Sequence, residues 1–185
     1  MKKIILSSTA LLAAIILASC SNQTQTDGKD STENVTPDQT SSIPQTTVPG
    51  FSASDYRFSY NGTELIPGMK MSEVKDKLGE TTDYSEAPSC YAEGNDKVFE
   101  YSGGLTVYTY PSGEDDIISI IELSDNTLST PKGAKTGMSW DEITALYGSE
   151  YTEEGLTKVY YLDDGRSLSF SVENDKVVLI EYLNN

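Results

Sequence analysis

Apolar residues recur along this chain with two different periods. In segments 68–79 and 137–148 the spacing is helical: Met71, Val74 and Leu78 stand at i, i+3 and i+7, and Trp140, Ile143 and Tyr147 repeat the set. The two segments align without gaps at an offset of 69, with Gly, Met, Glu and the closing Gly identical and Val74 matched to Ile143. Ser139 and Glu142 form a capping-box pattern; the first copy lacks it because Lys70 stands where the Ser would be. Gly79 and Gly148 follow the last turn, where a left-handed residue ends a helix. Helices this short do not persist alone in water, so each needs a sheet to lie on.

After each helix the period drops toward two. Runs 97–101, 105–110 and 117–123 are rich in Val, Ile, Tyr and Thr, and runs 158–162, 167–172 and 176–183 repeat the layout. Gly103-Gly104, 111–116, Asp163-Asp164-Gly165 and Glu173-Asn174-Asp175 supply the turns. Segments 56–60 and 63–66, joined by Asn61-Gly62, predict an added N-terminal hairpin. The expected fold class is α+β: two tandem units over 51–126 and 127–185, each a short helix packed on an antiparallel β-meander.

The Gly-Met-x-x-x-Glu-(Val/Ile)-x-x-x-x-Gly pattern before a three-stranded run resembles the tandem units of the β-lactamase inhibitory protein group. It is also similar to the small lipoprotein of the outer-membrane barrel-assembly machine, which has one such unit. The resemblance covers roughly residues 64–185. It implies helices on one face of a sheet, with the other face or the loops contacting protein partners, and it names no target.

The remaining apolar stretch lies at the N-terminus. Lys2 and Lys3 precede an apolar run from Ile4 to Ala18, too short and too soon polar for a transmembrane helix. It ends in Leu17-Ala18-Ser19-Cys20, which resembles the lipobox of bacterial lipoproteins. That implies a signal peptide over 1–19, cleavage before Cys20, and lipid on the Cys20 thiol. Segment 21–50 is Ser-, Thr-, Asn-, Gln- and Pro-rich, with Val35, Ile43 and Val48 its only sizeable apolar side chains. It reads as a disordered tether with a span of about 30 Å.

Charge changes the picture of partners. The chain carries 13 Lys and Arg, 29 Asp and Glu and no His, for a net of −16. Loss of Lys2 and Lys3 with the signal leaves 11 basic residues against 29 acidic, a net of −18. An anionic bilayer repels such a body, so lipid must supply the membrane attachment. Nucleic acid is excluded as a partner on the same ground. The lack of His removes Ser-His-Asp triads, Cys-His pairs and His-ligated zinc. No phosphate loop or nucleophile elbow appears, so no cofactor is expected and the reading is non-catalytic.

Strand alternation assigns Phe99, Tyr101, Leu105, Val107, Tyr160, Leu162, Leu168 and Phe170 to the helix-covered face. The other face then presents Glu100, Thr106, Tyr108, Tyr110, Tyr161, Ser167, Ser169, Ser171 and Glu181. Tyr108, Tyr110 and Tyr161 are the candidate partner-binding residues, because Tyr brings large, rigid, amphipathic contact area. Packing across the sheet or between the units is the competing role for them. Cys90, in a loop between helix and strand, lacks a partner once Cys20 is lipidated and is expected to be buried and inert. The acidic clusters Glu114-Asp115-Asp116, Glu153-Glu154 and Asp163-Asp164 lack calcium-loop spacing and read as solvated turns. The functional expectation is an extracytoplasmic lipoprotein on the cell membrane that binds a protein partner, with basic character in that partner. The alternatives are a sensor or carrier of a small cationic ligand or metal ion, and a carboxylate-dependent hydrolase.

Overall fold

The computed structural model describes residues 50–184. The expected signal peptide, Cys20 and nearly all of the tether lie outside the described residues. Among the described residues, no helix is long and apolar enough to cross a membrane.

Hairpin β1 (Phe58–Tyr60) and β2 (Thr63–Leu65) turns at Asn61-Gly62, both at positive φ, as the Asn-Gly signal predicts. Helix α1 (Met71–Leu78) follows, then strands β3 (Asp83–Pro88), β4 (Asn95–Tyr101), β5 (Leu105–Ser112) and β6 (Asp115–Leu123). Helix α2 (Trp140–Tyr147) precedes β7 (Thr152–Glu154), β8 (Thr157–Tyr161), β9 (Arg166–Glu173) and β10 (Lys176–Asn184). Both helices bury the predicted triplets: Met71, Val74 and Leu78 in α1, and Trp140, Ile143 and Tyr147 in α2. The capping box forms only in α2, where Ser139 N–H donates to Glu142 Oε2 at 2.7 Å and Glu142 N–H donates to Ser139 Oγ at 3.4 Å. Lys70 gives α1 no side-chain cap. Gly79 (φ 92, ψ −163) and Gly148 (φ 85, ψ −176) do not end the helices in the left-handed helical region. They occupy the extended positive-φ region, which is essentially closed to residues with a Cβ.

All eight strands after α1 belong to one antiparallel sheet of order β3-β4-β5-β6-β10-β9-β8-β7. The two meanders therefore do not form separate platforms. β6 pairs with β10, joining them into one sheet over one apolar cluster. The reason is elementary: each meander alone would present a long, apolar outer strand with unpaired backbone groups, and pairing these two edges satisfies both. The strands left outermost, β3 and β7, are exposed along their whole length, and neither was expected from the pattern.

The two halves make matching connections. Gly68 N–H donates to Ile118 O and Ile118 N–H to Met69 O; Gly137 N–H donates to Val177 O and Val177 N–H to Met138 O. β6 is irregular at Ser119 and β10 at Val178, and these bulges lie 59 residues apart. Bulges add twist and turn the strand phase over.

One face of the sheet is covered by α1, α2 and the hairpin. Trp140, Tyr147, Tyr160 and Phe170 stack there with ring centroids 5.5 to 6.2 Å apart. Tyr147 donates its hydroxyl proton to Thr130 Oγ1 at 2.7 Å in the buried layer. The hairpin lays Tyr56 and Phe58 against Tyr182 of β10, with centroids 5.7 and 5.9 Å away, and the Tyr56 hydroxyl donates to Leu183 O.

Candidate functional site: the open face of the sheet

The opposite face carries no helix or hairpin among the described residues. Strand register places its side chains in rows. One row runs Glu100, Thr106, Glu122, Glu181, Ser169, Val159, and its neighbour runs Val98, Tyr108, Ile120, Leu183, Ser167, Tyr161. Neither row contains Lys or Arg. The residues that alternation assigned outward do lie here, Tyr108, Tyr110 and Tyr161 among them.

The two rows cross the seam where β6 meets β10. There Glu122 stands directly opposite Glu181, and these two residues are again 59 positions apart. The seam thus sets matching residues of the two halves against each other. Like charges directly opposed on a sheet repel. Burial first, then the Glu181 and Glu100 charges, push the Glu122 carboxyl above the usual carboxylate range, while the hydroxyl of Tyr108, donating at 3.1 Å, pulls it back. Burial raises Glu181 as well, and Ser169 Oγ, donating at 3.2 Å, opposes the shift. Tyr108 is half-buried, and burial followed by the Glu122 charge holds its phenol protonated well above the ordinary range.

A groove lies on each side of this pair. On the first-half side, a space of about 520 Å³ is lined by Val98, Tyr108, Tyr110 and Ile120 together with Tyr91, Asp96 and Lys97, whose amine is paired with Asp116. Asp96 Oδ1 is buried without a hydrogen-bond partner. Tyr110 is 39% exposed and forms part of the outer wall. On the second-half side, a smaller space of about 200 Å³ is lined by Tyr161, Ser169 and Glu181 together with Val159 and Leu183. Tyr161 is 47% exposed and donates its hydroxyl proton to Glu154 at 2.6 Å. Tyr108 and Tyr110 therefore share one groove, and Tyr161 belongs to the other. None of the three packs into the helix-covered layer; Tyr108, half-buried and bonded to Glu122 on the neighbouring strand, also packs across the sheet.

The other sequence candidates are placed differently. Cys90 is exposed, in the turn of the β3–β4 hairpin and not between a helix and a strand, which corrects the buried expectation. A turn held by Ser89 N–H donating to Gly94 O leaves its side chain nothing to pack under. Four of the seven carboxylates in the acidic clusters pair with cations: Asp115 with Lys70 and Asp116 with Lys97, both at 2.7 Å, Glu153 with Lys158 at 2.5 Å, and Asp164 with Arg166 at 2.7 Å. Among the described residues, no group of three or more Asp, Glu, Cys or His is arranged to hold a metal ion.

Comparison with known proteins adds little to this geometry. No family model matches the chain. No curated protein matches it either. Among solved structures it is similar to an extracellular protein containing an SCP domain from Bacillus anthracis str. Ames, at 10% identity and a TM-score of 0.46, over 64% of this chain and 44% of that one. It is also similar to the uncharacterized protein yfeY from Escherichia coli, at 14% identity and a TM-score of 0.42, over 69% of this chain and 97% of that one. The chain spans less than half the length of the Bacillus anthracis protein.

Proposed function

We propose that this protein is a lipid-anchored, extracytoplasmic lipoprotein of the cell membrane that binds a protein partner, without catalysis, through the open face of its sheet. In this reading Cys20 carries the lipid, segment 21–50 spaces the body from the bilayer, and the body is a duplicated helix-plus-meander unit fused edge to edge. Support for the duplication comes from the matched helices, the matched helix-to-strand bonds and the two bulges 59 residues apart. The role resembles that of the inhibitor and envelope-assembly groups whose helix motif the sequence shares: inhibitor, scaffold or assembly factor.

The observation that carries the binding reading is the uncovered sheet face, which holds Tyr110 half-exposed at the apolar groove and Tyr161 half-exposed at the smaller one. Such mixed aromatic and carboxylate surfaces suit protein recognition. The test is photo-crosslinking in intact cells with a benzophenone side chain at position 110 or 161, and at exposed Leu156 and Glu80 as controls. Discrete protein adducts from 110 and 161 only are expected. Adducts confined to the control positions, or none at all, refute the reading. Labelling of wild type but not Cys20→Ala by an alkynyl fatty acid checks the anchor.

A further inference from the structure

We propose that the open face receives a basic segment of its protein partner, with one Arg or Lys head seated between Glu122 and Glu181 and an adjacent apolar side chain in the groove beside Tyr108. This rests on the protein-binding reading above and gives its partner a chemistry.

Charge complementarity chooses the occupant. Two half-buried carboxylates face each other across the β6–β10 seam, and their strand rows hold no cation to separate them. Elsewhere on this body four acidic side chains of the turns have found Lys or Arg partners. Among the described residues Glu122 and Glu181 have no such partner, and unlike the exposed acidic side chains of the turns they are half-buried and directly opposed. A guanidinium or ammonium group placed there turns a repulsion into two attractions and gives each carboxylate a charged donor.

The groove argues that the cation arrives on a polypeptide. Val98, Ile120, Tyr108 and Tyr110 form an apolar trough immediately beside the pair. A free metal ion or small polyamine leaves that trough unfilled, whereas a peptide fills it with a neighbouring side chain. A second copy of this chain brings the same carboxylates face to face, and an anionic membrane surface is repelled by a mature chain that would carry a net charge of −18. Basic partners, by contrast, are steered in by that charge.

The test selects 12-residue peptides from a random phage library on the full-length protein, purified in detergent, at neutral pH and low salt. Enriched peptides should carry Arg or Lys next to an aliphatic or aromatic residue. A synthetic copy of the leading peptide should bind the E122Q/E181Q protein about tenfold or more weakly than wild type, and replacing its Arg or Lys by Gln should cost wild type the same factor. Tyr110→Ala should weaken binding severalfold while leaving the preference for a basic residue. Both variants are first shown by thermal unfolding to be folded. Enrichment of neutral or acidic peptides, no enrichment, or equal affinity for E122Q/E181Q overturns the inference. So does calcium chloride binding that E122Q/E181Q abolishes, or self-association of the wild type that the same variant abolishes. Crosslinks from positions 110 and 161 together with neutral or acidic selected peptides would leave the binding function standing and remove only the basic partner.

Discussion

Replacing Glu122 by Gln keeps the shape of the seam and removes one of its two facing charges. Residues directly opposed in an antiparallel pair have Cβ atoms about 5 Å apart. Two unit charges about 6 Å apart, screened to an effective dielectric of about 40 to 80 because the site is half open, repel by roughly 0.7 to 1.4 kcal/mol. Relief of the partial burial of a carboxylate adds to the gain. Against it stands the hydroxyl of Tyr108, which donates to Glu122 at 3.1 Å and would exchange a charged acceptor for a neutral one, a loss of about 0.5 kcal/mol. The net expectation at pH 7 is a protein about 1 kcal/mol more stable. For a body of about 135 residues that is a rise in Tm of roughly 3 to 5 °C. Glu181→Gln should behave alike. The double variant should gain less than the sum of the two by about 1 kcal/mol, since both changes remove the same repulsion.

The pH dependence has a definite sign. A carboxyl whose pKa is raised on folding binds more protons in the native state than in the unfolded chain between the two values. Its contribution therefore falls as pH rises from the unfolded Glu value of about 4.3 through the raised native one. Below pH 4 both carboxyls are mostly protonated in either state, and the advantage of the Gln variants should shrink to a small fraction of its value at pH 7.5. Circular dichroism melts of wild type, both single variants and the double variant at pH 7.5 and pH 3.8 decide the matter. A Gln variant that loses stability at pH 7.5, an equal gain at both pH values, or strict additivity in the double variant would each show that the seam is not charge-strained.

Other outcomes follow from the same coordinates. Tyr182→Phe should raise stability by about 1 kcal/mol in urea unfolding, because the buried Tyr182 hydroxyl has no hydrogen-bond partner, whereas Tyr147→Phe should lower it by about 1 kcal/mol by taking the donor from Thr130. Ser139→Ala removes the capping box of α2 and should cost about 1 kcal/mol by the same measurement. Gly79→Ala places a Cβ in open space but at φ 92, so a loss of about 1 to 3 kcal/mol would be backbone strain alone; an unchanged midpoint would contradict the assigned conformation. Cys90, exposed in its hairpin turn, should react with Ellman's reagent in the native protein without denaturant.

Much of the fold was legible because it is written in local periods. Met71, Val74 and Leu78 mark a helix face without reference to anything distant, and Ser139 with Glu142 is a complete local instruction. The outward tyrosines were placed correctly because β4, β5, β8 and β9 alternate cleanly. β3 was missed since Asp83–Pro88 has no buried face: an edge strand lying over solvent carries no apolar alternation. In β6, Ile117, Ile118, Ile120, Ile121 and Leu123 are all apolar, and the bulge at Ser119 switches the phase within the run. Glu122 between Ile121 and Leu123 was the one local sign of which side faces out. Its meeting with Glu181 was beyond reach of any local pattern, because it depends on β6 pairing with β10, and nothing short-range specifies that register.

The strand order has a consequence for how the molecule is made. β10, which follows every other described strand in the chain, lies in the middle of the sheet, with β6 on one side and β9 on the other. The growing polypeptide can therefore assemble its flanks but cannot close its centre until the last segment has been delivered. A chain shortened before 176 leaves the apolar inner borders of both halves, β6 and β9, without the strand that joins them.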